Sequence, residues 1–143
     1  MKKILFVCTG NTCRSPMAQA AAEHIAKEKG IKALFASAGL YATGEDTSNN
    51  ARVTLGLAGI DFCKRSEQLT KKLADEADVI YGITQSHAEN VRRAFPKAAH
   101  KVKSFPRNIS DPYGGDIAVY KRCYEEICKG LEAIFEAEFP EGV

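Results

Sequence analysis

Several features that define whole classes of protein are missing from this sequence. No apolar stretch approaches the roughly 20 residues that a membrane-spanning helix needs, and the chain contains no internal repeat or low-complexity tract. The apolar run at residues 4–7 is short and lacks the small-residue cleavage pattern of a signal peptide. The formal net charge is only +2, which gives no reason to expect binding to nucleic acid or to a membrane surface. We therefore expect a cytoplasmic protein with neither kind of partner.

Residues that often bind metals are present, but their spacing does not match that of metal sites. The three histidines are scattered, and no two of the five cysteines form a Cys-x-x-Cys pair, so we expect no structural zinc site. An odd number of cysteines in a chain without a recognisable secretion signal indicates reduced thiols. The cysteines are Cys8, Cys13, Cys63, Cys123 and Cys128.

The chain has 143 residues, of which 45% are hydrophobic and 27% charged, which is typical of one globular domain covering residues 1–143. Short apolar runs alternate with segments of helical periodicity. The pattern predicts strands at residues 3–7, 34–37, 79–83 and 101–104, and helices at residues 16–29, 50–58, 70–76, 86–95 and about 117–139. This alternation predicts a doubly wound α/β fold with a parallel sheet, in which ligands bind at the carboxyl ends of the strands.

The segment between the first strand and the first helix, residues 8–15, has the composition of an anion-binding loop. Gly10 can adopt a positive φ, and Asn11 tolerates one better than most residues. Ser15 is a good N-cap and Pro16 is favoured at the first helical position, so we expect the helix to begin where the loop ends. The unpaired N–H groups of the loop and of the helix N-terminus can then surround an anion.

Two side chains in this loop can carry chemistry. Arg14 offers a planar fork of donors that can bind two phosphate oxygens. Cys8 would face the positive field of the helix N-terminus, which favours the thiolate over the thiol. A thiolate beneath a bound phosphoryl group is a nucleophile in place. The alternative interpretation is a buried structural cysteine beside a surface arginine.

The same residues carry a resemblance to a known family. Residues 7–18, which read VCTGNTCRSPMA, resemble the phosphate-binding loop of the low-molecular-weight protein-tyrosine phosphatases. Asp111-Pro112-Tyr113-Gly114 resembles the general-acid loop of that family, and the resemblance extends over essentially the whole chain. It implies a four-stranded parallel sheet in the order 2-1-3-4 with helices on both faces. It also implies that phosphorylated proteins are the partners, that a phosphate or sulfate ion fits the loop, and that no metal or organic cofactor takes part.

The resemblance assigns roles residue by residue. It implies that Cys8 is the nucleophile and forms a thiophosphoryl intermediate, that Arg14 and the loop amides stabilise the phosphoryl charge, and that Asp111 is the general acid. Without it, Asp111 reads equally well as the start of an Asp-Pro turn. Ser15 would help to hold the thiolate, although capping the helix would also explain it. The residues expected to bind the substrate are Thr9, Gly10, Asn11, Thr12, Cys13, Ser15, Tyr41 and Tyr113.

Three of these residues keep a second interpretation. Tyr41 and Tyr113 would flank the substrate as aromatic walls do in the family, yet loop aromatics are often packing residues. Cys13 could be a small buried loop residue. The resemblance instead suggests a reversible disulfide between Cys13 and Cys8 that protects the nucleophile under oxidation.

Position 12 bears on the identity of the phosphorylated residue. Members of the family that act on phosphotyrosine usually carry an aliphatic side chain there, whereas Thr12 adds a hydroxyl that can pair with the N–H groups of phosphoarginine. Thr12 and Thr84 both resemble the protein-arginine phosphatase branch. We therefore favour phosphoarginine over phosphotyrosine as the substrate. Where many relatives have a histidine that supports the loop asparagine, this chain has Lys64.

Other functional classes fit the sequence less well. Arsenate reductases share the fold and a similar loop, but they need resolving cysteines after the third strand, and residues 81–94 contain none. A non-catalytic phosphate-binding module would not need both Cys8 and Asp111. A protein that only senses redox state through Cys8 and Cys13 would leave Arg14 unexplained.

Overall fold

The computed structural model describes residues 1–141 and contains a four-stranded sheet in which every pairing is parallel. The strand order is β2-β1-β3-β4, so the expected order 2-1-3-4 is confirmed. β1 pairs with β2 on one side and with β3 on the other. The direction of winding therefore reverses at β1, and a ligand crevice is expected at its carboxyl end. The strands are β1 Lys2–Cys8, β2 Ala33–Gly39, β3 Val79–Gly82 and β4 Val102–Ser104.

Within the described residues, five α-helices connect and cover the strands. They are α1 Arg14–Lys29, α2 Asn49–Leu57, α3 Lys71–Glu76, α4 Gln85–Ala94 and α5 Ile117–Glu138. A 3-10 helix at Pro96–Lys101, which the sequence did not predict, links α4 to β4. Among residues 1–141, no helix is both long enough and apolar enough to cross a membrane.

The central strand β1 is buried on both faces because its apolar run alternates between two cores. Phe6 packs with α1 and α5 through residues such as Met17 and Leu131, whereas Leu5 packs with α4 through residues such as Val91. Each fully buried side chain of this size contributes about 1.5–3 kcal/mol of transfer free energy. The two cores hold β1 rigidly, so the residue at its carboxyl end, Cys8, has a fixed position.

The longest helix, α5, begins near the loop after β1, where Tyr120 contacts Cys13, and runs back along the sheet to Glu138, which contacts Lys2. Asp116 caps its first turn by accepting a hydrogen bond from Val119 N at 3.0 Å. Gly130 allows close packing, because a Cβ there would lie 2.1 Å from the ring of Phe105. The buried face of the helix contains Tyr120, Cys123, Ile127, Leu131, Ile134 and Phe135.

Candidate active site

The N-cap predicted for the helix after the loop is wrong. The helix α1 begins at Arg14 with Cys13 as the N-cap residue, so Ser15 lies inside the first turn. Ser15 is fully buried, and its hydroxyl contacts the sulfur of Cys8 instead of capping the helix. Of the two residues that the sequence indicated for a positive φ, Asn11 adopts it, at 57°, and Gly10 does not. In both cases a hydrogen-bond network reaching beyond the loop decides the local geometry.

The sulfur of Cys8 lies at the centre of that network. Its Sγ is 2.8 Å from Ser15 Oγ and accepts a hydrogen bond from Asn11 N at 3.3 Å. Because Ser15 Oγ also accepts from Asn11 Nδ2 at 2.8 Å, the hydroxyl hydrogen of Ser15 is free to point at the sulfur. Two donors therefore converge on the sulfur of Cys8 and fix its position at the end of β1.

The side chain of Asn11 is fixed by residues from three distant segments. Its Nδ2 donates to Ser37 Oγ at 2.9 Å, and its Oδ1 accepts from Glu67 N at 3.0 Å and from Lys64 Nζ. Ser37 in turn donates to Gln19 Oε1 at 2.7 Å. Asn11 is completely buried, so a side chain with all its polar atoms paired holds the loop in the left-handed conformation at this position.

Lys64 brings a cation beneath the loop. Its Nζ donates to Asn11 Oδ1 and to Ser37 O, the latter at 3.3 Å, and lies 3.9 Å from Glu67 Oε1. Burial lowers the pKa of Lys64, while the charges of Glu67 and Cys8 act in the opposite direction. Lysine therefore supports the loop asparagine in this chain, which the sequence left as an open question.

Arg14 is held from outside the loop. It is 8% exposed, and its Nη1 donates to Ile109 O at 3.0 Å. Its Nη2 lies 3.8 Å from Asp111 Oδ2. The segment that follows β4 therefore positions both the guanidinium group and the carboxyl group.

A cavity of about 200 Å³ lies above Cys8 and brings together most of the residues that the sequence singled out. Asp111 reaches it from almost a hundred residues away, with its side chain 58% exposed. Its Oδ1 accepts from Tyr113 N at 3.1 Å. The cavity is lined by Cys8, Thr9, Gly10, Asn11, Thr12, Cys13, Arg14, Asp111 and Tyr113.

Tyr41 is the one predicted aromatic wall that does not line this cavity. Its backbone N–H donates to Thr9 O at 2.9 Å, but its side chain is 77% exposed and lines a neighbouring cavity with Arg93 and Phe95. Tyr113 is 81% exposed at the rim above Cys8. A role for Tyr41 in substrate binding stays a prediction.

Cys13 lines the same cavity as Cys8, but its sulfur contacts other groups. Its Sγ lies 3.2 Å from Tyr120 Oη and 3.4 Å from Ser48 Oγ. Both Cys8 and Cys13 are free thiols in this structure. The disulfide between them stays a prediction.

The sequence analysis missed His87. It is buried in the first turn of α4, and its Nε2 lies 2.9 Å from Thr9 Oγ1. Burial lowers the pKa of His87 to about 4, with a further contribution from the charge of Arg14 and an opposing one from Asp111. The spacing of Thr84 and His87, as N-cap and third helical residue, was the signal in the sequence. Among residues 1–141, no group of three or more His, Cys, Asp or Glu is arranged to hold a metal ion.

A cavity between the carboxyl end of β1 and the N-terminus of α1, lined by a short loop and by Arg14, is the arrangement of an α/β protein that binds phosphoryl groups. Comparison with known proteins identifies the family. The family model described as low molecular weight phosphotyrosine protein phosphatase matches residues 3–139. The chain belongs to this family of protein phosphatases, and the resemblance seen in the sequence is confirmed.

Relatives in this family have two kinds of name. A protein-arginine-phosphatase of Geobacillus stearothermophilus is 38% identical over 133 residues, which cover 87% of this chain and 88% of that protein. The low molecular weight protein-tyrosine-phosphatase PtpB of Staphylococcus aureus is 36% identical over 132 residues, which cover 87% of this chain and 91% of that protein. A solved mutant of the arginine phosphatase YwlE with a phosphorylated active-site serine matches with a TM-score of 0.89 and 30% identity over 94% of each chain.

Proposed function

We propose that this protein hydrolyses phosphoarginine side chains of proteins through a thiophosphoryl intermediate on Cys8. The observation that carries the proposal is the position of the sulfur, which lies at the floor of a 200 Å³ cavity and accepts hydrogen bonds from Ser15 and Asn11. Arg14 and Asp111 line the same cavity. The phosphorylated active-site serine of the YwlE mutant supports covalent phosphorylation of the residue at the floor of such a loop.

In the first step the Cys8 thiolate attacks phosphorus, and the bond between phosphorus and the guanidinium nitrogen breaks. The electron pair of that bond goes to the nitrogen, which takes a proton from the Asp111 carboxyl group. Arg14 and the loop amides stabilise the charge on the three equatorial oxygens, and preorganised donors of this kind supply much of the rate enhancement in phosphoryl transfer.

In the second step water attacks the same phosphorus, and the bond between sulfur and phosphorus breaks. Asp111, now a carboxylate, takes a proton from the water, and the electron pair returns to Cys8 as thiolate. Inorganic phosphate leaves, and Asp111 is again protonated for the next cycle. The donors from Ser15 and Asn11 stabilise the thiolate as a leaving group, so they contribute to this step as well.

The preference for phosphoarginine depends on Thr12. Its hydroxyl lines the cavity, and its contact with Cys13 Sγ, at 3.8 Å, is weak, so the hydroxyl is available to a substrate. Phosphoarginine has guanidinium N–H groups close to phosphorus, and a hydroxyl can accept a hydrogen bond from them. The ring of phosphotyrosine instead gains more apolar contact from an aliphatic side chain. The name of the Geobacillus relative supports this preference.

Phosphotyrosine is the second candidate substrate. Tyr113 lies at the cavity rim with 81% of its surface exposed, where it can stack against an aromatic ring. The Staphylococcus relative is named as a tyrosine phosphatase at nearly the same identity as the arginine phosphatase.

The test compares turnover of phosphoarginine and phosphotyrosine in peptides of otherwise identical sequence. We expect the native protein to prefer phosphoarginine and Thr12→Ile to lower that preference by at least tenfold, a change of about 1.4 kcal/mol. Thr43→Ile, at an exposed threonine that does not line the cavity, is the matched control and should leave the preference unchanged. Cys8→Ser should abolish turnover and retain binding of inorganic phosphate. Equal or better hydrolysis of phosphotyrosine by the native protein would contradict the assignment.

A further inference from the structure

His87 contacts the phosphate-binding loop from a different element of the fold. It belongs to the first turn of α4, which follows β3, the neighbour of β1 in the sheet. The residue is 6% exposed, and its Nε2 lies 2.9 Å from Thr9 Oγ1. A close backbone contact fixes this part of α4, because a Cβ at Gly82 would lie 2.3 Å from Ala88 N.

The hydrogen bonds of the imidazole determine where its proton lies. The backbone N–H of Thr84 donates to Nδ1 at 3.2 Å, and a backbone N–H can only donate. Nδ1 is therefore an acceptor, and in the neutral ring the hydrogen lies on Nε2. Thr84 Oγ1 accepts from His87 N at 3.2 Å and completes a capping box. The same contacts that begin α4 thus select the tautomer of His87.

The imidazole is also held in its neutral form. Burial is the main reason that the pKa of His87 falls to about 4, and the positive charge of Arg14 lowers it further, against the opposing effect of Asp111. At neutral pH the ring therefore carries one hydrogen, on Nε2, and donates it to Thr9 Oγ1.

This donation determines the direction of the Thr9 hydroxyl hydrogen. Because Thr9 Oγ1 accepts from His87, its own hydrogen points away from the imidazole. The Thr9 side chain is exposed and lines the cavity above Cys8. With the other tautomer, Thr9 would donate to His87, and its hydrogen would not be available to a ligand.

We propose that His87 is a positioning residue that orients the Thr9 hydroxyl as a hydrogen-bond donor to an oxygen of the bound substrate. The proposal rests on the proposed phosphatase function and adds a second hydroxyl, besides that of Thr12, to substrate binding. An oriented donor avoids the cost of reorienting a hydroxyl when the charged group binds. His87 itself does not touch the substrate and acts through Thr9.

The chain offers two substitutions that separate the contacts of the imidazole. The amide oxygen of His87→Asn can replace Nδ1 as the acceptor for Thr84 N, but the side chain is too short to reach Thr9. The amide nitrogen of His87→Gln extends to the position of Nε2 and can donate to Thr9. Thr9→Val removes the hydroxyl with little change of shape.

The experiment is a double-mutant cycle on kcat/KM with the phosphoarginine peptide and, in parallel, with para-nitrophenyl phosphate. We expect His87→Asn and Thr9→Val each to lower kcat/KM by about five- to tenfold, and the double variant to lose no more than Thr9→Val alone. His87→Gln should recover most of the loss. Inhibition by inorganic phosphate shows which substrate oxygen Thr9 binds. Thr9→Val should weaken this inhibition if Thr9 binds a phosphoryl oxygen, and should leave it unchanged if Thr9 binds an oxygen of the peptide.

Multiplicative losses in the double variant would overturn the proposal, as would equal losses in His87→Asn and His87→Gln with both proteins folded by circular dichroism. If the histidine variants do not fold, kcat/KM of Thr9→Ser, which keeps the hydroxyl, is compared with that of Thr9→Val, which lacks it. Equal losses of kcat/KM in both variants would overturn the proposal. The native protein could hydrolyse para-nitrophenyl phosphate but not the phosphoarginine peptide. This result would contradict only the proposed substrate, because the double-mutant cycle can still be measured with para-nitrophenyl phosphate.

Discussion

The strand β1 carries a polar cluster at each end, and the cluster at its carboxyl end faces a cavity that a ligand can enter. At its carboxyl end, Cys8 belongs to the loop network, whose donors converge on a sulfur that faces a cavity. At its amino end, Lys2 belongs to the Glu138 cluster, formed by Glu138, Lys2, Tyr81 and Lys103. There Glu138 accepts from Tyr81 Oη at 2.7 Å and from Lys103 Nζ at 2.8 Å, and Lys2 lies at 2.9 Å.

The pKa values of the Glu138 cluster reflect the pairing of its charges within the chain. Burial by itself would raise the pKa of Glu138, but hydrogen bonds from Lys103, Tyr81 and Lys2 outweigh it and bring the pKa to about 2. Burial and Glu138 together raise the pKa of Tyr81. The Glu138 cluster satisfies its charge within the chain and contributes to stability. The loop network directs donors at a site that a ligand can enter, so breaking it should reduce turnover more than stability.

In this comparison, the largest effect on turnover is expected at Asp111, which lines the cavity that the loop network faces. Asp111→Asn removes the proposed proton donor and should lower kcat by about 10²- to 10³-fold. The side chain is 58% exposed, so the melting temperature should change little. The matched control is Asp46→Asn, at an exposed carboxylate outside the cavity. Steady-state kinetics and thermal unfolding of both variants test this, and an unchanged kcat in Asp111→Asn would remove the residue from the mechanism.

An intermediate effect on turnover is expected at Lys64, which donates a hydrogen bond to Asn11 Oδ1 beneath the loop. Lys64→Ala leaves Asn11 Oδ1 with one donor, Glu67 N, and should lower kcat/KM by about tenfold because the loop loses its fixed geometry. Lys64→His supplies a donor again and should restore part of the activity. Lys72→Ala, at an exposed lysine of α3, serves as control. Equal kinetics in Lys64→Ala and in the native protein would show that Asn11 holds the loop without the lysine.

The smallest effect on turnover is expected from a change in the Glu138 cluster. Glu138→Gln should leave kcat unchanged and lower the free energy of unfolding at pH 7 by about 2 kcal/mol. The folded pKa of about 2 lies below the ordinary value of 4.5, so the stabilisation is complete above pH 4.5 and is lost as the pH falls toward 2. Urea unfolding at pH 7 and pH 3 should therefore show a smaller difference at pH 3.

The control for this comparison is Glu136→Gln, at an exposed residue of the same helix. It should change stability by no more than about 0.5 kcal/mol at either pH. A fall in kcat of folded Glu138→Gln would show that the two ends of β1 are coupled, which would contradict the division between a stabilising and a functional cluster.

The sequence predicted the fold well because its signals are local. Apolar runs located all four strands to within a few residues, and helical periodicity located the α-helices. The 3-10 helix after Phe95 was missed, because residues 96–100 follow neither kind of pattern. The strand order came from the family resemblance, since periodicity alone does not say which strands are neighbours.

The errors and omissions at the site have a different cause. Ser15 and Gly10 have propensities for a helix cap and a positive φ, but the buried contacts of Cys8 and Asn11 override them. Lys64 and His87 act across 53 and 78 residues of sequence, and no local pattern reports such pairs. The Thr84–His87 spacing could have predicted a capping box, but not its contact with Thr9.

The long-range support of Asn11 also has a consequence for how the enzyme is made. Cys8 is synthesised before Ser37, Lys64 and Glu67, which hold Asn11, and before Ile109, whose carbonyl orients Arg14. A growing chain therefore lacks the contacts that surround Cys8 and Arg14 until most of the domain has been synthesised and the sheet has formed. The loop after β1 is made early, but its final geometry is in this sense a late product of folding.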